Sequence, residues 1–205
     1  MRIGLASDTH GNVGGLARAL DLFERAAVEQ VFFLGGRYAD VDAALARRRA
    51  APPPAAEQGD VAFLDAVRGA LARQSDPLAG RIVRVASREC PEHALDPGAR
   101  MHVDMLEGRI CCAVHDKASL GRDDIENASI LFHGHSVHAA IVQIGPRCFV
   151  TPGHLRAGAS ADAPATFALV DLNERELLLR VFSADAAELR IERAVFGAGS
   201  KLSVR

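Results

Sequence analysis

Two short polar motifs, each placed directly after an apolar run, constrain this chain more than any other feature of its sequence. The apolar run 3–6 leads into Asp8-Thr9-His10, and the run 128–132 leads into His133-Gly134-His135. Apolar runs of this length, bounded by glycine and polar residues, are typical of buried strands that end in tight turns. Carboxylate and imidazole groups are metal ligands, so the two strand ends predict a metal-binding edge of a sheet.

The order of these motifs resembles that of the calcineurin-like metallophosphoesterases, in the small branch that includes bacterial phosphodiesterases and the retromer scaffold subunit. Members of that family carry, in order, D-x-H, G-D, G-N, a single His after a strand, and G-H-x-H, and together these motifs bind two divalent cations. The resemblance covers nearly the whole chain. It implies an α/β fold of the metallophosphoesterase type, a four-layer sandwich of two mixed β-sheets flanked by α-helices, as a single domain over 1–205.

Four of the seven ligand positions in this family pattern keep their residue type. The D-x-H motif is intact as Asp8 and His10, the single His matches His115 after the predicted strand 109–114, and His135 matches the first His of G-H-x-H. The resemblance therefore implies metal-binding roles for Asp8, His10, His115 and His135.

The other three positions have lost their ligands. Gly36 stands where the family's G-D motif has the Asp that bridges both metals, and Val137 replaces the second His of G-H-x-H. Arg88 falls on the Asn of the G-N motif when the two sequences are aligned without a gap. A shift of one residue would place Glu89 there instead.

Loss of the bridging carboxylate at Gly36 has the largest physical consequence. Two unit charges 4 Å apart in a partly screened site repel by about 4 kcal/mol, and divalent ions repel more strongly. A shared carboxylate offsets this repulsion and fixes the metals about 3.5–4 Å apart, so that a bridging hydroxide can attack phosphorus. By the resemblance, each half-site here keeps only two protein ligands, Asp8 and His10 in one and His115 and His135 in the other, whereas metal sites usually use three or four.

Two arginines occur in the same region of the sequence. Arg37 follows Gly36 directly, and Arg88 occupies the position of the Asn ligand. Arginine does not ligate metals, but its guanidinium pairs well with carboxylate or phosphate. We therefore predict that Arg37 and Arg88 bind phosphate.

These changes predict a metallophosphoesterase-fold protein with a degenerate two-metal centre. We expect it to be catalytically inactive or strongly impaired, and to act by binding a protein partner or a phosphate-containing small molecule. Any Mn2+, Zn2+ or Fe would be held weakly or at single occupancy, or not at all. The family resemblance includes a non-catalytic scaffold subunit, so the fold can be retained without its chemistry.

The alternative is an active metal-dependent phosphodiesterase or phosphatase that uses a rearranged site. One metal would then be held by Asp8, His10 and a replacement ligand. The candidates for that ligand are Glu89, Asp116, His138 and His154, with Asp40 a weaker one. His133 lies outside the family pattern and suits a structural role.

Composition and charge limit the classes of partner. The 205 residues are 49% hydrophobic, and 24 Lys and Arg against 26 Asp and Glu give a net charge of −2, which does not indicate nucleic-acid binding. No apolar stretch approaches the roughly 18 residues of a membrane span, so we expect neither a membrane-bound nor a secreted protein. The four cysteines lack a C-x-x-C pair and are predicted to be reduced core residues of a cytoplasmic protein.

Hydrophobic periodicity predicts alternating strands and helices, with Pro52-Pro53-Pro54 separating two helices. Residues near 39–59 are predicted to be an insertion relative to small family members. The predicted helices are 14–28, 40–50 and 60–74, and the predicted strands are 2–7, 31–34, 81–86, 100–106, 109–114, 129–132, 138–144, 147–150, 166–172, 177–183 and 187–195.

Overall fold

A computed structural model of the chain describes residues 1–50, 76–158, 160 and 162–196. Its strands form two mixed sheets. The strands are β1 (Arg2–Ala6), β2 (Gln30–Leu34), β3 (Ile82–Val85), β4 (Met101–Leu106), β5 (Arg109–Val114), β6 (Ile130–His133), β7 (Ala139–Ile144), β8 (Arg147–Pro152), β9 (Thr166–Leu172), β10 (Glu176–Ser183) and β11 (Glu188–Val195). The first sheet has the order β11-β10-β9-β1-β2-β3, and the second has the order β4-β5-β6-β8-β7.

Helices cover the outer faces of the two sheets. They are α1 (Val13–Arg25), α2 (Tyr38–Ala50), α3 (Pro91–Leu95) and α4 (Arg122–Asn127), with short 3-10 turns at 79–81, 97–100 and 117–119. This arrangement confirms the predicted sandwich of two mixed sheets flanked by helices. None of the helices in the described ranges is long and apolar enough to cross a membrane.

The strands agree with the sequence prediction to within one or two residues, but the first helix ends earlier than predicted. We expected it to continue to residue 28, and it ends at Arg25. Ala27 adopts a left-handed φ of 53°, and the Val28 N–H bonds back to the Phe23 carbonyl. This Schellman-type ending terminates the helix, and no glycine marks it in the sequence. The predicted helix 60–74 and residues 51–59 of the predicted insertion lie outside the described residues, while the first part of that insertion belongs to α2.

The space between the sheets is filled by side chains that alternate along each strand. Ile3 and Leu5 of β1 point into this layer and are fully buried. Phe32 of β2 stacks on Phe132 of β6, with ring centroids 5.4 Å apart, and so joins one sheet to the other. Burying a side chain of this size stabilises the fold by about 1.5–3 kcal/mol. The four cysteines are buried free thiols, as predicted.

The outer face of the first sheet packs against α1. Phe23 lies over Gly4, where an added Cβ would be only 2.6 Å from the Phe23 ring. Leu16 and Leu20 of the same helix are buried with Phe33 of β2 in this second core. The close approach of α1 to β1 fixes the direction in which the chain leaves the strand and enters the helix.

Parallel strands bring the ends of both sheets to one edge. In the first sheet β1, β2 and β3 run parallel, and in the second sheet β5, β6 and β8 run parallel. Their carboxyl ends therefore deliver the segments that follow them to the same side of the sandwich, where α/β folds commonly bind ligands. We call this edge the rim; it carries Asp8, Gly36, His115 and His135.

An ion-pair network holds α2 in place beside α1. The Arg48 side chain is only 7% exposed, and its Nε lies 2.8 Å from Asp21 Oδ1 on α1. Its two terminal nitrogens pair with Glu24 and with Asp76, a carboxylate that is 4% exposed. Because α2 also carries Asp40 to the rim, this network connects the helix layer to the site.

We expect Arg48→Met to lower the free energy of unfolding by about 3 kcal/mol or more, because it leaves the buried Asp76 charge without its partner. Urea denaturation measures the change. Arg47→Met, on the exposed neighbouring residue, should stay within about 0.5 kcal/mol of wild type. Adding Asp76→Asn to Arg48→Met should recover part of the loss, and no recovery would show that the unpaired charge is not its cause.

Candidate functional site

The turn after β1 places two candidate ligands on the rim through unusual backbone conformations. Asp8 and His10 both adopt left-handed φ values, 48° and 43°, and His135 does the same at 48°. Non-glycine residues rarely adopt this conformation, and it persists only where surrounding contacts enforce it. One such contact is the Asp8 N–H, which donates to the Gly35 carbonyl at 3.1 Å.

The Asp8 carboxylate is buried and accepts hydrogen bonds from both sheets. His115 Nε2 lies 2.8 Å from Oδ1, while the His135 N–H donates to Oδ2 at 2.9 Å and Ser7 Oγ lies 2.6 Å from the same atom. Burial raises the pKa of Asp8, but the hydrogen bonds from His115 and Ser7 outweigh it, so the pKa lies below its ordinary value. The carboxylate is therefore ionised and its acceptor sites are largely occupied by protein donors.

Two glycines allow the histidines to come this close. The rings of His115 and His135 meet edge to face, with centroids 5.3 Å apart. A Cβ at Gly35 would overlap the His115 ring, and a Cβ at Gly134 would overlap the Leu34 carbonyl oxygen. Both positions must therefore lack a side chain for the two strand ends to meet.

Gly36 lies between these strand ends and has a φ of 106°. Its carbonyl accepts a hydrogen bond from Cys90 Sγ at 2.6 Å. A Cβ here would lie 3.0 Å from Phe33 Cζ and 3.2 Å from Thr9 Oγ1, and any side chain would also carry the strain of the left-handed backbone. The backbone is thus shaped for glycine at the position where the family resemblance implies a bridging Asp.

A cavity of about 250 Å³, which we call the rim cavity, opens beside Asp8. His10, His135 and His154 line it together with Val137. His154 Nδ1 accepts the Arg156 N–H at 3.2 Å, which leaves Nε2 as the protonated nitrogen in the neutral ring. Burial lowers the pKa of His154 and so favours that neutral form.

The segment after β3 places Arg88 and Glu89 on different sides of the rim. Glu89 Oε2 lies 3.8 Å from His10 Nδ1, beside the Asp8 turn. Arg88 instead lines a second cavity, of about 360 Å³, that also contacts His115. The alignment of the G-N motif that is shifted by one residue puts Glu89 at the Asn position. The structure places that acidic side chain next to the candidate ligand His10.

Arg37 is not a free cation. Its guanidinium lies 3.2 Å from Asp40 Oδ1, although the side chain is 60% exposed. Asp40 is itself 4% exposed and accepts hydrogen bonds from Thr9 Oγ1 at 2.6 Å and from the Gly11 N–H at 2.9 Å. Asp40 therefore stabilises the Asp8–Gly11 turn, and its carboxylate partly neutralises Arg37.

The remaining candidate ligands lie in other surroundings. Asp116 caps the 3-10 turn 117–119 through the Ala118 N–H and lines the second cavity. His138 is exposed and precedes β7, while His133 is buried, where burial lowers its pKa. Within residues 1–50, 76–158, 160 and 162–196, no group of three or more His, Cys, Asp or Glu side chains is arranged to hold a metal ion.

Some residues of this region carry no signal in the sequence. Ser7 adjoins the D-x-H motif, yet nothing local indicates that its hydroxyl contacts both Asp8 and the Leu34 carbonyl. Arg156 reaches the rim cavity, and Arg100 reaches the second cavity, from segments without a recognisable motif. Of the two replacement histidines named from the sequence, His138 and His154, only His154 lines the rim cavity.

The sequence also matches the model of a known family. Residues 1–175 match the family model of the calcineurin-like phosphoesterase superfamily domain. No curated protein sequence matches the chain significantly.

Solved structures from several organisms share the fold at low sequence identity. A predicted phosphoesterase of Streptococcus pneumoniae is 16% identical with a TM-score of 0.59, covering 95% of this chain and 97% of its own. The Escherichia coli phosphoesterase YfcE is 19% identical with a TM-score of 0.57, covering 94% and 98%. Zinc-complexed Vps29 of Entamoeba histolytica is 16% identical with a TM-score of 0.56, covering 96% and 100%. At these identities the likeness establishes the fold alone.

We expect Gly134→Ala to destabilise the protein by about 1–3 kcal/mol, because the added methyl group would overlap the Leu34 carbonyl and separate the two strand ends. Urea denaturation of the purified variant measures this. Gly80→Ala is the matched control, since a Cβ at Gly80 meets no atom within 4 Å. Equal stability of the two variants would contradict the close packing at Gly134.

Proposed function

Because the chain belongs to the calcineurin-like phosphoesterase superfamily, we propose that it is a member with a degenerate two-metal centre that acts by binding. Hydrolysis is absent or strongly impaired. The ligand is a phosphate-containing molecule, and a protein partner is the alternative class of ligand. The buried free thiols suit a reducing cytoplasm, which is the compartment we propose.

The observation that carries this proposal is the direct contact between Asp8 and His115. In the family pattern these two residues serve different half-sites, and two-metal sites hold their cations about 3.5–4 Å apart. Here Asp8 Oδ1 and His115 Nε2 are 2.8 Å apart, and Ser7 and His135 occupy the other carboxylate oxygen. This donor set does not fit two metals, because the carboxylate is already shared among protein donors.

The surroundings of Gly36 support the same conclusion. With Gly36 at the position of the family's bridging Asp, that carboxylate is missing and does not offset repulsion between two cations, which amounts to about 4 kcal/mol even for unit charges 4 Å apart. The left-handed backbone at Gly36, with φ of 106°, also disfavours the side chain that would restore it. Both the residue type and the backbone conformation at position 36 therefore disfavour a bridging carboxylate.

Arg88 is the better of the two predicted phosphate ligands. Among the described residues it makes no hydrogen bond or ion pair, and it lines the second cavity beside His115. Arg37 shares its charge with Asp40 at 3.2 Å. An unpaired guanidinium offers charge-assisted hydrogen bonds to a phosphate without first breaking an ion pair.

A second candidate function is a phosphodiesterase or phosphatase that uses one metal. It is favoured by the position of Glu89, whose Oε2 lies 3.8 Å from His10 Nδ1, and by His154, which lines the rim cavity with Asp8 and His10. A single cation bound by Asp8, His10 and one of these replacements would polarise a phosphoryl oxygen and acidify a water. Metal stoichiometry and hydrolysis distinguish it from the binding role.

We expect the purified protein to retain fewer than two equivalents of metal after loading with Mn2+ and dialysis, measured by mass spectrometry of the metal content. Val137→His should raise its Zn2+ affinity about tenfold or more, because the introduced imidazole faces the rim cavity and gives the Asp8–His10 half-site a third ligand. Val142→His is the matched control: Val137 and Val142 are 52% and 51% exposed, but Val142 lies on β7 away from the cavity.

Two tightly held metals in wild type would overturn the proposal. So would steady hydrolysis of bis-p-nitrophenyl phosphate that disappears in His10→Ala. Hydrolysis that disappears in Glu89→Gln or His154→Ala, with one metal bound, would establish the single-metal enzyme in its place.

For anion binding, we expect wild type to bind inorganic phosphate in titration calorimetry without added metal. Arg88→Ala should weaken this binding about tenfold, because it removes charge-assisted hydrogen bonds, and Arg37→Ala should weaken it much less. Arg25→Ala, an exposed arginine at the end of α1, controls for the change in net charge. Equal losses in Arg25→Ala and Arg88→Ala would mean that the effect is not local to the cavity.

A further inference from the structure

The second cavity lies between segments that leave the two different sheets. One wall is the segment after β3, which contributes Arg88, His93 and Arg100. The other wall is the segment after β5, which contributes His115, Asp116 and Asp124. The cavity holds about 360 Å³, within the usual range for small-molecule sites.

The wall after β3 is cationic. Arg88 makes no hydrogen bond or ion pair with the described residues, and Arg100 uses its Nε to donate to the His93 carbonyl at 2.7 Å. The terminal nitrogens of both guanidinium groups are thus open to a ligand. Desolvation, followed by the charges of Arg100 and Arg88, lowers the pKa of His93, which places both cations near that ring.

The wall after β5 is acidic, and its carboxylates are bonded to backbone amides. Asp116 Oδ1 accepts the Ala118 N–H at 2.9 Å, and Asp124 Oδ2 accepts the Gly121 N–H at 2.8 Å. Each carboxylate is held by a backbone amide and keeps one oxygen without a described donor. Both are half-buried and line the cavity.

The opposite charges of the two walls are held apart. Neither Arg88 nor Arg100 pairs with any carboxylate among the described residues within the 4.0 Å of an ion pair. A purely anionic ligand would pair only with the arginines of one wall and would be repelled by the carboxylates of the other. A ligand with an anionic and a cationic end would satisfy both at once, which is how charge patterning gives specificity.

Resting on the proposed binding function, we infer that the second cavity binds a small zwitterionic phosphate monoester. Its phosphate lies against Arg88 and Arg100, and its ammonium group lies against Asp116 and Asp124. This assigns the ligand to the second cavity instead of the rim cavity, where Asp8 is already occupied by protein donors.

The test compares O-phosphoethanolamine with monoethyl phosphate by titration calorimetry on the full chain without metal. These ligands share the phosphate and two-carbon chain and differ in the ammonium group. Wild type should bind phosphoethanolamine about tenfold more tightly, since the difference is an ammonium–carboxylate contact. Asp124→Asn should reduce this preference, because only Asp116 then faces the ammonium group, while monoethyl phosphate binding is unweakened, because an Asn oxygen still accepts the Gly121 N–H.

Asp123→Asn is the matched control, since Asp123 is exposed on the same helix and does not line the cavity; it should keep the preference. Arg100→Ala should weaken both ligands. Equal affinity for the two ligands in wild type would overturn the zwitterion while leaving the proposed binding of phosphate intact. Tight binding of neither ligand would also overturn it. Metal-dependent hydrolysis would contradict the proposed function without affecting this comparison of affinities.

Discussion

The buried Asp8 carboxylate is the point at which the two sheets are joined at the rim. It leaves β1 in a left-handed turn, yet its hydrogen-bond donors include His115 and His135, which follow strands of the other sheet. An ionised carboxylate this deeply buried is tolerated only because each oxygen is satisfied. The glycines at 35 and 134 are the steric condition for that arrangement, since a side chain at either position would separate the strand ends.

The same contact divides the rim into two chemically different regions. On one side lies the rim cavity, which is lined by the imidazoles of His10, His135 and His154. Glu89 Oε2 lies 3.8 Å from His10 Nδ1. On the other side of His115 lies the second cavity, where cationic and acidic walls face each other without pairing. The two regions are independent because parallel strands from two sheets supply separate loops to one edge.

Much of the fold was predictable because its signals are local. Apolar runs gave the strands to within one or two residues, and the D-x-H and G-H motifs located both strand ends that meet at the rim. The sequence resemblance also predicted that Gly36 stands where the family has its bridging Asp. The end of α1 was not, because Ala27 adopts a left-handed conformation that its residue type does not favour.

By itself, the sequence determined where the strands and turns lie along the chain, because hydrophobic period and turn chemistry act between neighbours in the chain. Its resemblance to a known family supplied the fold class and the residues expected at the rim. Only the tertiary structure decided which of those residues meet. Asp8 and His115 are 107 positions apart, Arg37 pairs with Asp40, and Glu89 rather than Arg88 faces His10. Such pairings depend on how two sheets pack, and a carboxylate's partners are set by distances that no local pattern encodes.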